Sequence, residues 1–195
     1  MAYFCGMKRI AIFASGTGSN ATAIVNYFAD HKDVEVSMVL SNKPSAKVLD
    51  MAKANGIPTR VFSRSEFYDS QIVADELDAL GIDMIALAGF LWLIPPYLVT
   101  RFDRRMVNVH PALLPKFGGK GMYGMNVHKA VVAAGEKESG PTFHFVNERF
   151  DEGEILFQAR VELDGSETPE EVAAKVLKLE HLHFAPVLER LLVAE

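Results

Sequence analysis

The sequence predicts an α/β fold: an open, mostly parallel Rossmann-like sheet with helices on both faces and an antiparallel C-terminal portion. Apolar, β-branched segments alternate with helical patterns over the first half of the chain, as in successive βαβ units. A glycine-rich turn, residues 16–20, joins the first apolar segment to the first helical pattern. Beyond Pro115, two short strand-like segments follow each other without a helix between them, which favours antiparallel pairing.

The first half of the chain carries most of the predicted sheet. Each strand there is a short apolar run rich in β-branched residues, and Gly56 ends the second helix. The predicted strands cover residues 8–14, 34–41, 59–62, 84–88 and 106–110. The predicted helices cover residues 21–29, 46–55, 65–80 and 95–101.

The second half begins with a loop, residues 116–125, that carries four glycines in ten residues, which is typical of a mobile or closely approached segment. A helix is predicted over residues 128–134, and antiparallel strands over residues 142–146 and 155–161. Thr168 to Glu171 forms a capping box with proline at the first helical position, and it opens the last helix. We expect Pro186 to kink or interrupt that helix.

Size and composition predict one cytoplasmic domain over residues 1–195, with residues 1–6 as a loose extension. The net charge of −5 argues against a nucleic-acid partner, because such a partner requires a basic face. No segment is long and apolar enough to predict a membrane span. The single cysteine, Cys5, excludes an internal disulfide and a cysteine-based zinc site, and it suits a reducing compartment.

The most informative stretch is Asn108 to Pro111, at the end of a predicted strand. Side chains at i and i+2 of a strand share one face, so Asn108 and His110 lie side by side at the edge where open α/β sheets bind ligands. An amide donor beside an imidazole is suited to stabilising an oxyanion and moving a proton. The alternative is a strand-terminal turn in which both side chains only cap backbone groups.

The loop at residues 16–20 predicts an anion site, because glycine-rich turns that open a helix expose backbone amides. Its spacing also fits a loose dinucleotide fingerprint, but Ser41 and Asn42 stand where that site needs a carboxylate. The chain also has no Gly-Lys-Ser/Thr sequence, which excludes a Walker loop. A mononucleotide-like phosphate fits best, and a plain β–α turn is the alternative.

Three further side chains are candidates for the same site. Asp151, in a turn between predicted strands, favours the charged form of a nearby imidazole, although such turns often need an aspartate for their own geometry. His144 alternates with aromatic residues, and it either faces a pocket or serves as a structural histidine. Glu180 falls on the apolar arc of the last helix, where it either caps a neighbouring element or binds a ligand hydroxyl.

These motifs, in this order, resemble the phosphoribosylglycinamide formyltransferase family, the folate-dependent enzymes of purine synthesis. The resemblance covers nearly the whole chain from Met7. It rests on the segments at residues 14–20, 87–90, 108–115, 144–153 and 180–181. The segment Asn-x-His-Pro-x-Leu-Leu-Pro with a later Asp is shared by enzymes that use formyltetrahydrofolate. The glycine loop and Glu180 select the glycinamide enzyme.

The resemblance implies a role for each candidate. Gly18, Ser19 and Asn20 would hold the ribonucleotide phosphate, and Glu180 would hold its ribose. Asn108 and protonated His110 would stabilise the oxyanion, while Asp151 would sustain the imidazolium. The folate pocket would be formed by Leu91, Trp92, Leu93, Ile94, Asn108, Asn147, Glu148 and Asp151. The family also implies a cis peptide before Pro115, no metal, no tightly bound cofactor, and 10-formyltetrahydrofolate as a cosubstrate.

The chain departs from the family where relatives carry basic residues, since Trp92 and Gln71 stand at those positions. The folate glutamate tail is therefore expected to be held differently. The loop from Gly118 to Met125 is also about four residues longer than is usual in the family. The competing functions are a formyltetrahydrofolate hydrolase and a non-catalytic nucleotide-binding protein. Small molecules are the expected ligands, and the chain is expected to be a monomer or a homodimer.

Overall fold

The computed structural model describes residues 6–193, so Cys5 and most of the expected N-terminal extension lie outside the described residues. The strands are β1 (Lys8–Phe13), β2 (Val34–Ser41), β3 (Thr59–Val61), β4 (Met84–Leu87), β5 (Met106–His110), β6 (Glu138–Ser139), β7 (Thr142–Phe145), β8 (Ile155–Gln158) and β9 (Val161–Glu162). The helices are α1 (Ser19–Phe28), α2 (Val48–Ala54), α3 (Arg64–Tyr68), α4 (Ile72–Ala79), α5 (Pro96–Arg101), α6 (Met125–Ala133) and α7 (Pro169–Val193).

The main sheet has seven strands in the order β3-β2-β1-β4-β5-β7-β8. The first five of these pair in parallel, whereas β7 is antiparallel to both β5 and β8. The predicted fold class, with its antiparallel C-terminal portion, is therefore confirmed. Because β1, β4 and β5 are parallel neighbours, their carboxyl ends lie at the same edge of the sheet.

Helices cover both faces of this sheet, as predicted. Alternate residues of β1 point in opposite directions, so Ile10 and Ile12 pack in a cluster with α1 and α7. Ala11 and Phe13 pack on the other face, in a cluster with α3, α4 and α5. Strands that are buried on both faces read as continuous apolar runs, which is why β1 and β4 were recognisable in the sequence.

The helix predicted over residues 65–80 is wrong, because the structure has two helices there. Ser63 and Glu66 form a capping box that starts α3, and the amide of Asp69 bonds back to the carbonyl of Ser65 at its end. The hydroxyl of Ser70 donates to the Glu66 carbonyl and accepts from the amide of Ile72. The serine thus satisfies backbone groups at the break between α3 and α4.

Two predictions for the C-terminal half are also corrected. The strand predicted over residues 155–161 is divided into β8 and β9, and β9 pairs with the unpredicted strand β6. Pro186 does not interrupt α7, which runs without a break to Val193. The carbonyl that loses its partner belongs to Leu182, which is 63% exposed and therefore accessible to water. The other element ends differ from the predictions by at most three residues.

Candidate functional site

A cleft of about 760 Å³ opens at the edge where β1, β4 and β5 end. Its walls come from the loops after β1 and β4, the end of β5, the loop at residues 119–125, the turn after β7 and the middle of α7. A cleft at the carboxyl ends of parallel strands is the usual ligand site of an open α/β sheet. Asn108 and His110 both line it, as their spacing on β5 predicted.

His110 is buried and both of its ring nitrogens have neighbours. Nε2 lies 2.8 Å from the carbonyl oxygen of Phe117, and Nδ1 lies 3.4 Å from Oδ2 of Asp151. Because a carbonyl and a carboxylate can only accept, a ring protonated on both nitrogens satisfies the two contacts together. Phe117 has a positive φ of 57°, an uncommon conformation for a bulky residue, and this presents its carbonyl to the ring.

Asp151 is the point where the other polar groups converge. Its Oδ2 accepts the amide of Gly119 at 2.9 Å, and its Oδ1 lies 3.4 Å from Nδ2 of Asn108. Oδ1 is also 3.7 Å from Nε2 of His144. Burial alone would raise the pKa of Asp151, but the neighbouring rings of His110 and His144 and the hydrogen bond from the Gly119 amide outweigh it and hold that pKa well below the ordinary carboxyl value. The carboxylate therefore stays charged at neutral pH.

His144 is buried beside Asn108, because the two residues face each other across the antiparallel pair of β5 and β7. Its Nε2 is 3.0 Å from Nδ2 of Asn108, and its Nδ1 is 2.8 Å from the carbonyl of Phe145. The structure thus brings Asn108, His110, His144 and Asp151 into one connected cluster on the cleft wall.

The glycine loop before α1 forms a second polar part of the cleft. Thr17 and Asn20 line it, whereas Gly18 packs behind them with a positive φ of 79°. A Cβ on Gly18 would lie 2.5 Å from Cγ2 of Val48, so only glycine fits. Ser19, the first residue of α1, is half-buried and does not belong to the described lining.

Glu180 reaches this region from α7 and is only 7% exposed. Its Oε2 accepts a 2.5 Å hydrogen bond from Nδ2 of Asn20. Burial raises the pKa of Glu180, and the bond from Asn20 opposes that rise. The Oδ1 atom of Asn20 is buried and has no hydrogen-bond partner within residues 6–193. An unpaired acceptor beside a costly buried carboxylate is expected where a polar ligand binds.

The opposite end of the cleft is apolar. The four consecutive residues predicted for a folate pocket all line it: Leu91, Trp92, Leu93 and Ile94. The ring of Trp92 lies 5.8 Å from that of Tyr68, whose hydroxyl donates to the Leu93 carbonyl at 2.9 Å. Asn147 also lines the cleft, whereas the described lining does not include the exposed side chain of Glu148.

Sequence reasoning missed the part of the site formed by residues 117–128. The Phe117 carbonyl and the Gly119 amide contact His110 and Asp151. His128 lies in the cleft wall, and its buried Nδ1 has no hydrogen-bond partner among residues 6–193. The run of four glycines was the only signal in the sequence. The cis peptide between Leu114 and Pro115, which the family resemblance implied, is confirmed.

Within residues 6–193, no group of three or more histidine, cysteine, aspartate or glutamate side chains is placed to hold a metal ion. None of the helices in that range combines the length and the apolar character that crossing a membrane requires.

The fold and the cleft define an α/β protein with a cleft, polar at one end and apolar at the other, at the carboxyl ends of its strands. The chain belongs to the formyl transferase family, whose model matches residues 8–188. It is 43% identical to the chloroplastic phosphoribosylglycinamide formyltransferase of Arabidopsis thaliana, over 93% of this chain and 64% of that protein. It is 35% identical to the phosphoribosylglycinamide formyltransferase of Bacillus subtilis, over 95% of each chain.

The chain thus spans about three fifths of the length of the plant relatives that it matches. Solved structures agree with the fold. The phosphoribosylglycinamide formyltransferase of Brucella melitensis superposes with a TM-score of 0.85 at 36% identity, covering 97% of both chains. The glycinamide ribonucleotide transformylase 1 of Geobacillus kaustophilus gives the same TM-score at 35% identity, over 95% of this chain and 99% of that one.

Proposed function

We propose that this chain transfers the formyl group of 10-formyltetrahydrofolate to the amine of glycinamide ribonucleotide, a step of de novo purine (IMP) biosynthesis. The observation that carries the proposal is the convergence of Asn108, His110 and Asp151 on the wall of one cleft. The names of the relatives support this activity, and so does the division of the cleft into a polar and an apolar end.

The polar end suits the ribonucleotide. Gly18, Ser19 and Asn20 lie at the start of α1, where backbone amides and the helix dipole attract a phosphate. Glu180 offers a carboxylate to a ribose hydroxyl, since only its Oε2 has a described partner, Asn20. These contacts would leave the amine of the ligand pointing toward Asn108.

The apolar end suits the pterin ring of the cosubstrate. Leu91 to Ile94 and Val146 provide a flat apolar surface, and the backbone from Asn147 onward provides polar atoms at its edge. The side chain of Trp92 offers a ring face for stacking. The formyl group would then lie between the pterin and His110.

The amine attacks the formyl carbon, and the carbonyl oxygen becomes an oxyanion. Asn108 and the imidazolium of His110 stabilise this charge, and His110 donates the proton. In the structure the Nε2 proton of His110 is directed at the carbonyl of Phe117, so we propose that the formyl oxygen replaces that carbonyl as the acceptor.

Asp151 keeps the imidazolium available and helps to move the proton released by the amine. The hydroxyl of the tetrahedral intermediate then returns its proton to His110 as the carbonyl re-forms. The bond between the formyl carbon and N10 of the folate breaks, and N10 takes up the proton from the amine. The products are the N-formyl ribonucleotide and tetrahydrofolate, so atoms and charge balance. No step requires a metal or a tightly bound cofactor, and formyl-folate is consumed as a cosubstrate.

The remaining features of the proposal follow from the sequence. We propose one formyltransferase domain over residues 1–195, acting in the cytoplasm on small molecules, without nucleic-acid or membrane partners. The acidic net charge supports the lack of a nucleic-acid partner. The protein would act as a monomer or a homodimer.

Tetrahydrofolate release from 10-formyltetrahydrofolate, with and without glycinamide ribonucleotide, tests the activity. We expect release only when the ribonucleotide is present, together with formylation of its amine. Release that does not depend on the amine would instead identify a hydrolase, and binding without release would identify a non-catalytic nucleotide-binding protein. His181→Ala is a matched control for substitution of His110, because His181 is exposed and does not line the cleft.

A further inference from the structure

We propose that His144 is a positioning residue that determines which edge of the Asn108 amide faces the substrates. When Nε2 of His144 carries a proton, Asn108 turns its oxygen toward His144 and its NH2 group toward the cleft. This inference rests on the proposed function, because it concerns the donor that stabilises the oxyanion.

Nδ1 of His144 donates a hydrogen bond to the backbone. It lies 2.8 Å from the carbonyl oxygen of Phe145, which can only accept, so Nδ1 carries a hydrogen. The chain packs closely over this pair. A Cβ on Gly153 would lie 1.7 Å from the Phe145 oxygen and 3.4 Å from Nδ1. The 2% exposure of His144 fits this close packing, so the hydrogen bond is protected from exchange with water.

The amide nitrogen of Asn108 faces two protein acceptors. In the structure its Nδ2 is 3.0 Å from Nε2 of His144 and 3.4 Å from Oδ1 of Asp151. In this orientation both amide hydrogens are directed at protein acceptors. Asn108 Oδ1 is not among the buried unpartnered atoms of residues 6–193, and Asn108 lines the cleft. The edge left to the substrates is therefore an acceptor, which repels an oxyanion.

Protonation of His144 and the orientation of the Asn108 amide depend on each other. The oxygen and nitrogen of an amide have nearly the same size, so the amide can turn over without a change in packing, at the cost of the 3.4 Å contact between Nδ2 and Asp151 Oδ1. With Nδ1 already protonated, a second proton on Nε2 makes His144 an imidazolium, and Nε2 must then donate to an acceptor. Oδ1 of Asn108 is that acceptor after the amide turns, and the NH2 group is then available to the oxyanion.

The carboxylate of Asp151 is the group beside His144 that favours a charged ring. The ring's charged neighbour is Asp151 at 3.7 Å, and His110 on β5 contacts the same carboxylate. Arg149 in the following turn lines the same cleft. One carboxylate thus faces two imidazoles. The carboxylate of Asp151, at 3.7 Å from Nε2, attracts a positive charge on this ring.

Side-chain 15N NMR of the wild-type protein tests the protonation of His144. The protein is saturated with glycinamide ribonucleotide and tetrahydrofolate, a pair that binds without reacting. At the pH of maximal turnover we expect both nitrogens of His144 to be protonated. A neutral ring with a lone pair on Nε2 at that pH would overturn the proposal.

A double-mutant cycle provides the kinetic test. His144→Leu should lower kcat by about 10²-fold, the usual effect of losing one oxyanion donor, and should leave KM for the ribonucleotide within about twofold. Placed in Asn108→Ala, the same change should cost little more, because the amide is already absent. His144→Gln, whose NH2 group donates without titrating, should restore most of kcat and remove the loss of activity that accompanies deprotonation of His144.

Additive effects in the cycle would overturn the proposal. A wild-type protein that does not formylate the ribonucleotide would instead refute the proposed function, so the two failures are distinguishable. If His144→Leu does not fold, the NMR measurement on the wild type and the kinetics of His144→Gln still decide the question.

Discussion

Glu180→Gln should weaken substrate binding and stabilise the unliganded protein. Both effects follow from the replacement of one atom, Oε1. Glu180 is nearly fully buried, and Asn20 donates to its Oε2 at 2.5 Å. Replacing Oε1 with an NH2 group preserves the shape and the acceptor facing Asn20. It removes the charge and the acceptor that we propose for the ribose hydroxyl.

The size of the binding effect follows from that contact. One hydrogen bond to a charged group is worth about 1.5–3 kcal/mol, which corresponds to a rise of about 10- to 150-fold in Kd for glycinamide ribonucleotide. Isothermal titration calorimetry of the variant and the wild type measures it. A Kd within twofold of the wild type would refute the assignment of Glu180 to the ribose.

The stability effect follows from the raised pKa of Glu180. A carboxyl group with a raised pKa in the folded state lowers stability as the pH rises through that pKa, because the buried group must ionise. Glu180→Gln should therefore have a higher Tm than the wild type at pH 7, and the difference should disappear below the ordinary carboxyl pKa. Equal Tm values at both pH values would contradict this reasoning.

Glu189 provides a matched control on the same helix. Its pKa is lowered, chiefly by the hydrogen bond from Tyr27 and also by that from His31, so its contribution to stability is present at neutral pH and lost on acidification. Glu189→Gln should lower Tm at pH 7 and leave Kd for the ribonucleotide unchanged. The two glutamates thus predict opposite shifts in Tm.

Three further changes test the cluster around Asp151. His110→Ala should cut turnover by about 10²-fold or more with nearly unchanged ribonucleotide binding, as measured by steady-state kinetics and calorimetry; unchanged turnover would exclude its role as acid. Asp151→Asn should lower turnover, because His110 loses the carboxylate that lies 3.4 Å from its Nδ1, and an unchanged kcat would refute their coupling. Gly153→Ala should destabilise the fold by more than about 3 kcal/mol, because the new Cβ would overlap the Phe145 carbonyl; a urea midpoint equal to the wild type would contradict this expectation.

The sequence was sufficient for the sheet because its strands are buried on both faces. β1, β4 and β5 appear as apolar runs, and the i, i+2 spacing on β5 places Asn108 beside His110. The strand order depends on contacts between distant segments, so it had no local signature. The break between α3 and α4 and the short strands β6 and β9 involve hydrogen bonds between a few particular residues, which periodicity does not reveal.

The candidate site was predictable where a polar side chain interrupted an apolar pattern, as Glu180 does on α7. It was not predictable where backbone groups form the contacts. The carbonyl of Phe117 and the amide of Gly119 contact the ring and the carboxylate of the catalytic pair, yet any residue supplies such groups.

The two ends of the cleft are held in register by Ser15. Ser15 is buried directly before the glycine loop, and its hydroxyl donates to Oδ1 of Asn42 at 2.7 Å. The hydroxyl also accepts the amide of Leu91 at 3.2 Å, and the amide of Ser15 donates to the carbonyl of Gly89. One small residue therefore joins the loop proposed for the ribonucleotide to the loop proposed for the folate. Because formyl transfer depends on the distance between amine and formyl carbon, this link fixes a quantity that neither loop determines alone.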